Sequence, residues 1–325
     1  MSEALTLERL DAAARRVHAV MPPTAQHHWP LLDARIGATV WVKHENHTPL
    51  GAFKVRGGIV HLENLKRDDP ALRGVVAATR GNHGQSIAFA ASRVGVAAVI
   101  VVPHGNSVEK NAAMRALGAE LIEHGHDFQA ALEHAQTLAA QRGLRMIESF
   151  CDDLVAGVAS YGLELFRAVP DLDVAYVPIG LGSGICGMVA AREALGLRTE
   201  IVGVVAENAP AYALSFAQRR AVSTNSADTI ADGMACRVPN AAALATIWRS
   251  VARIVTVSEA EIRAAMRLAF SATHNVAEGA AAGPLAAALK ERARLAGRRV
   301  ALVMSGGNVD RAVFARVLAE AENGE

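Results

Sequence analysis

Apolar residues recur along this chain with two spacings. Short runs rich in β-branched residues read as strands at 39–42, 75–78, 98–102, 120–123, 174–177, 201–205 and 300–304. Between them apolar positions return every three to four residues, which predicts helices over 7–20, 84–94, 107–117, 128–142, 153–168, 258–272, 281–296 and 309–321. Strands alternating with helices in this way form parallel sheets covered on both faces, an α/β fold. The segment 214–226 is polar and poor in strand character, so it reads as an exposed excursion. No low-complexity linker and no repeat of fixed period interrupts the alternation.

The loops that leave these strands carry the chemistry. They read Thr79-Arg80-Gly81-Asn82-His83-Gly84, Pro103-His104-Gly105-Asn106, Gly180-Leu181-Gly182-Ser183-Gly184, Glu207-Asn208 and Ser305-Gly306-Gly307-Asn308. In open α/β sheets the carboxyl ends of strands form the ligand-binding edge. The 180–184 loop opens a predicted helix, and backbone N–H groups at a helix start cradle anions such as phosphate. Three readings of this loop are open: a phosphate cradle, a dinucleotide site and a tight turn without ligand. Gly182-Ser183-Gly184-Ile185-Cys186-Gly187 satisfies GxGxxG, and Glu207 ends the next strand, as a dinucleotide site requires. The nicotinamide reading, however, leaves the other loops without a role and places its fingerprint mid-chain.

A second feature is the run from Lys43 to Gly57, in which Lys54 is bracketed by Ala52, Phe53 and Val55. Apolar neighbours desolvate an amine, lower its pKa and make it a competent Schiff-base former. His44 and His47 are three residues apart, which is not the helical zinc-protease spacing, and His124-Gly125-His126 reads as a solvated turn.

Composition narrows the classes. Hydrophobic residues make up 51% and charged residues 20% of 325, and 33 basic residues balance 32 acidic ones. A net charge of +1 gives no electrostatic reason to expect nucleic acid or a membrane surface as partner. The apolar stretch 94–103 is too short to cross a bilayer, and residues 1–20 lack a signal-peptide core, so a cytoplasmic location is expected. Cys151, Cys186 and Cys236 form no CxxC pair and read as unpaired thiols.

Taken in order, Lys43-x-Glu45 with Phe53-Lys54-x-Arg56-Gly57, then Gly81-Asn82-His83-Gly84-Gln85, then the 180–184 loop, then Ser305-Gly306-Gly307-Asn308, resemble the serine/threonine dehydratase and serine racemase family. That family lies within the tryptophan-synthase-β-like pyridoxal-phosphate enzymes. Thr229-Ile230-Ala231-Asp232-Gly233 and Glu278 are further matches, and the resemblance spans about residues 5–318. It implies a two-domain fold: a large domain from 1–66 and 146–325, and a small mobile domain at 67–145 whose closure excludes water.

The resemblance also implies roles. Lys54 would carry pyridoxal 5'-phosphate and shuttle the α-proton. Phe53 would pack beside the cofactor ring, Asn82 would bond its phenolic oxygen, and Ser305 would face its ring nitrogen. Gly180, Leu181, Gly182, Ser183 and Gly184 would bind the phosphate through backbone amides, with Glu278 nearby. Thr79, Arg80, Gly81, Asn82 and His83 would receive the substrate carboxylate. The implied activity is loss of water from threonine or serine to give a 2-oxo acid and ammonia, in a protein whose relatives are usually homodimers. Because Ser305 is neutral, it does not enforce a protonated ring nitrogen, which favours elimination over transamination.

Three positions depart from the family. Arg80 stands where racemases place a serine, so weak or absent racemase activity is expected. Its fork suits a second substrate carboxylate, which makes 3-hydroxyaspartate or another hydroxylated amino acid the alternative substrate, unless Arg80 faces solvent or an acidic neighbour. Ala52 replaces a common serine. In the family's divalent-cation site Glu207 and Ala211 are kept, but Ala213 replaces the acid, so no metal is expected, with Glu207 and Ala211 the weak candidates.

Overall fold

Two parallel-rich sheets organise the chain in the computed structural model, which describes residues 5–321; residues 1–4, the start of the stretch read for a signal peptide, lie outside the described part. The strands are β1 (Gln26–His28), β2 (Thr39–His44), β3 (Gly74–Ala78), β4 (Ala97–Val102), β5 (Glu120–Glu123), β6 (Arg145–Met146), β7 (Val174–Pro178), β8 (Glu200–Ala206), β9 (Arg253–Val257) and β10 (Arg299–Met304). The helices of the first half are α1 (Leu7–His18), α2 (Pro30–Ile36), α3 (Lys54–Asp68), α4 (Asn82–Arg93), α5 (Val108–Ala116), α6 (Phe128–Arg142) and α7 (Asp152–Ala168). Those of the second half are α8 (Ser183–Ala194), α9 (Ala211–Gln218), α10 (Ala241–Ser250), α11 (Glu259–Thr273), α12 (Gly279–Lys290), α13 (Arg292–Leu295) and α14 (Arg311–Ala319).

The larger sheet has the order β1-β2-β10-β7-β8-β9, the smaller β5-β4-β3-β6. Every pair is parallel except β1–β2. The larger sheet is buried on both faces, because successive strand residues point to opposite sides. Ala175 and Val177 join a core with α1, α3, α7 and α8; Val174 and Tyr176 join another with α2, α11 and α12. The smaller sheet is sandwiched in the same way, with α4 over one face and α6 over the other.

The α/β alternation agrees with the sequence reading, although β1, β6, β9, α2 and α10 are absent from it and three further details differ. Helix α3 is missing from that reading because Gly57 and Gly58 weaken the helical pattern. Both glycines are packing devices: a Cβ on Gly57 would lie 2.8 Å from the Leu154 carbonyl, and one on Gly157 2.4 Å from the Arg56 carbonyl, so α3 and α7 cross almost backbone to backbone. The helix expected at 281–296 breaks at Glu291 into α12 and α13. The expected excursion at 214–226 begins inside α9, where Tyr212 and Ser215 are buried. Among the described residues no helix is long and apolar enough to cross a membrane.

Candidate active site

Lys54 is the first residue of α3, and the turn before it is stitched to the last strand loop. Phe53 N–H donates to the Ser305 carbonyl at 3.0 Å, and Gly307 N–H donates to the Gly51 carbonyl at 2.8 Å. Ala52 forms a bridge to Gly306, and Asn308 Nδ2 donates to the Leu50 carbonyl. Motifs some 250 positions apart in sequence thereby meet, with Lys54 and Ser305 on one wall. The Lys54 ammonium donates to Ser183 Oγ at 2.9 Å and lies 5.0 Å from the centre of the Phe53 ring. Burial lowers its pKa to about 8, which at neutral pH makes a free amine far more available than on a surface lysine.

The 180–184 loop runs from β7 into α8. Its backbone follows a path that side chains would obstruct: Gly182 has φ +105°, and a Cβ on Gly180 would come within 2.2 Å of the Gly233 carbonyl. Tyr212 and Tyr161 hydroxyls donate to the Leu181 and Gly184 carbonyls, each at 2.9 Å, which anchors the acceptors of the loop. The first N–H groups of α8 have no partner within the helix, and its first turn contains no acidic side chain. With an ammonium already at Ser183, this cradle fits a phosphate carried on an aldehyde that Lys54 can reach.

The 79–83 loop faces this cradle from the smaller sheet. Thr79 Oγ1 accepts from the N–H groups of Gly81 and Gly84, so the Thr79 side chain braces the loop and Gly81 N–H is already engaged. Asn82 and His83 begin α4. Asn82 Nδ2 donates to Glu278 at 2.7 Å, and Asn82 Oδ1 accepts from Asn308 at 2.9 Å. His83 Nε2 is buried without a hydrogen-bond partner, and burial together with the charge of Lys54 lowers its pKa to about 3, so it is a neutral ring. Arg80, 41% exposed, lies 3.8 Å from Asp232.

One residue at this seam has no counterpart among the sequence candidates. Lys110 of α5 is buried between Asp232 (3.4 Å) and Glu278 (3.3 Å). Burial disfavours its charge, yet the two carboxylates outweigh this and hold its pKa above the ordinary lysine value. Asp232 lies inside the noted Thr229–Gly233 run, but Lys110 carries no motif signal. The metal candidates stay apart from all this: Glu207 is exposed, Ala211 is buried at the start of α9, and no group of three potential ligands occurs among the described residues.

Comparison with known proteins was made on this basis. A family model described as pyridoxal-phosphate dependent enzyme matches residues 19–306. L-threonine ammonia-lyase of Thermotoga maritima is 34% identical over 315 residues, covering 97% of this chain and 78% of that protein. L-threo-3-hydroxyaspartate ammonia-lyase of Saccharomyces cerevisiae is 32% identical over 295 residues and covers 90% of each. A solved pyridoxal 5'-phosphate-dependent aspartate racemase superposes with a TM-score of 0.89 at 29% identity, covering 95% of this chain and 98% of that one.

Proposed function

Because the chain belongs to the pyridoxal-phosphate dependent enzymes, we propose that it is an ammonia-lyase that eliminates water from a small β-hydroxy amino acid such as threonine or serine. The observation that carries this reading is the Lys54 amine, desolvated and 2.9 Å from Ser183 at the start of α8. Pyridoxal phosphate would be held by the N–H groups of 180–184, by Lys54 covalently, and by Phe53, Asn82 and Ser305 around its ring; when bound it supplies an electron sink at the substrate α-carbon. Lys54, freed when the substrate amine replaces it, takes the α-proton as general base and returns it to the departing β-hydroxyl. Loss of that water leaves an enamine, which a further water hydrolyses to a 2-oxo acid and ammonia. The N–H groups of Asn82 and His83 receive the substrate carboxylate, and neutral His83 adds no charge beside Lys54. The small domain, 67–145, excludes water by closing through Lys110, Asn82 and Arg80 onto Asp232, Glu278 and Asn308. We place this activity in the cytoplasm, a reading supported by the three free cysteines, and in a homodimer, as is usual in the family its motifs resemble; light scattering tests the dimer.

The purified, cofactor-loaded protein should form 2-oxobutanoate from L-threonine and, after borohydride reduction, carry the cofactor on Lys54. No keto acid from any β-hydroxy amino acid would overturn the activity.

Arg80 favours a second reading, 3-hydroxyaspartate as substrate. Its long, half-exposed pair with Asp232 is a weak contact that a substrate carboxylate can replace. Comparing kcat/KM for threonine and L-threo-3-hydroxyaspartate before and after Arg80→Ala tests it; an unchanged ratio removes it.

A further inference from the structure

Lys43, Glu45 and Arg56 belong to the run that marks the Schiff-base lysine, yet the proposed reaction uses none of them. In the structure all three are fully buried, and together with Glu164 of α7, which also meets the part-exposed His18 at 2.7 Å, they form an ionic quartet. Arg56 Nε and Nη2 donate to Glu45 at 2.7 and 2.9 Å, while Nη1 and Nη2 donate to Glu164 at 2.6 and 2.9 Å. Ser160 and Thr24 take the remaining guanidinium contacts at 2.9 and 3.2 Å. Lys43 Nζ donates to Glu164 at 2.5 Å and to the Thr24 carbonyl at 2.7 Å.

We infer that this quartet is a positioning device for Lys54: Arg56 fixes where α3 begins, and therefore where the Lys54 amine meets the 180–184 loop. This rests on Lys54 as the Schiff-base residue. No cap sets the start of α3: Phe53 at its N-cap offers no capping hydrogen bond and the first turn contains no acid, so the turn before it is held by Thr48 and the Ser305 carbonyl and the helix itself by what Arg56 reaches. Arg56, two residues on, holds the helix start from outside, by donating to side chains of neighbouring elements rather than by capping N–H groups. A guanidinium is a planar fork, so partners on two sides fix both its position and its rotation. Those partners sit at the end of β2 (Glu45) and on α7 (Ser160, Glu164). The residue after Ser160 is Tyr161, whose hydroxyl donates to the Gly184 carbonyl. Lys54 and the loop it touches are thus both referenced to α7.

Two further observations separate positioning from stability alone. Buried ion pairs add little net stability over apolar residues of similar volume, so geometry is their better-supported use here. The quartet also sums to zero charge, and the lowered pKa of Lys54 arises from burial with no contribution from Arg56 or Lys43. The device therefore sets place rather than field.

The test uses the full chain loaded with pyridoxal phosphate. Arg56→Lys keeps the charge and loses the fork; the double variant Arg56→Met/Glu45→Gln removes one charge of each sign and keeps the balance. Three quantities are read: Tm, the pH midpoint of the visible Schiff-base absorbance, and the rapid-mixing rate at which threonine displaces Lys54, per folded molecule. The charge-balanced variant should keep most of the Tm, while the displacement rate falls by about tenfold to a hundredfold, as small misplacements of reacting groups do, and the midpoint moves. Wild-type rate and midpoint in either variant, whatever its Tm, overturn the inference. Absence of a Lys54 adduct in the unsubstituted protein would instead sink the functional reading beneath it.

Discussion

Arg56, Lys43, Glu45 and Glu164 lie within one sheet unit, whereas Lys110, Arg80, Asp232 and Glu278 meet across the gap between two. Each group pairs two cations with two carboxylates. In the first the side chains are 0–7% exposed; in the second Lys110 and Glu278 are as buried, at 6% each, but Asp232 is 32% and Arg80 41% exposed. A break in the first strands charge in a dry interior. A break at the Asp232 and Arg80 edge of the second admits water, and water replaces the lost partner. Further contacts reinforce the second group without drying it: Ser107 and the first N–H groups of α5 donate to Asp310, and Glu109 accepts from Arg311 N–H at the start of α14. Like chemistry thus yields a fully buried brace in one place and a part-exposed latch in the other.

The largest expected effect is on the brace. Arg56→Met leaves two buried carboxylates to one ammonium and should cost about 3–5 kcal/mol in urea unfolding; a comparable loss from Lys110→Met would erase the contrast. Next comes the pH limb of Glu164. Burial would raise its carboxyl, but Arg56 and Lys43 hold it at about 2 against an ordinary value of 4.5. Its folded pKa is depressed, so its contribution, roughly 2–3 kcal/mol, is present above pH 4.5 and disappears as pH falls towards 2. Glu164→Gln should flatten that limb of the stability profile measured by denaturant titration. On the latch, Lys110→Met should cost less than about 2 kcal/mol, because burial lifts Glu278's pKa and lets it take a proton instead. The same variant should lower kcat/KM for threonine by about tenfold. Smallest of all, Arg80→Ala should alter stability by no more than about 0.5 kcal/mol, its effect appearing in substrate choice.

Much of this organisation was legible before any coordinates. Both the strand–helix alternation and the ligand edge follow from local pattern, since the period of burial and the turn residues are set over a few positions. The loops 79–84, 180–184 and 305–308 do leave β3, β7 and β10 at their carboxyl ends. Lys110 was illegible for the opposite reason. On its own helix it is an ordinary lysine, and only partners 122 residues away (Asp232) and further (Glu278) make it part of a site. Helix α3 was hidden by glycines whose purpose lies on α7 and α4. Glu164 has no local signal at all: its identity as a brace depends on Arg56, 108 residues earlier.

The position of β10 has a consequence for biosynthesis. The last strand among the described residues lies in the middle of the larger sheet, hydrogen-bonded to β2 on one side and β7 on the other. A nascent chain must therefore hold that gap open until residues 299–304 have left the ribosome, and non-local closure of this kind is slow. The same insertion delivers Ser305 and the turn that locks Phe53. Vitamin B6 capture thus waits on that insertion, and a chain that has not yet placed β10 displays no finished site to stray aldehydes.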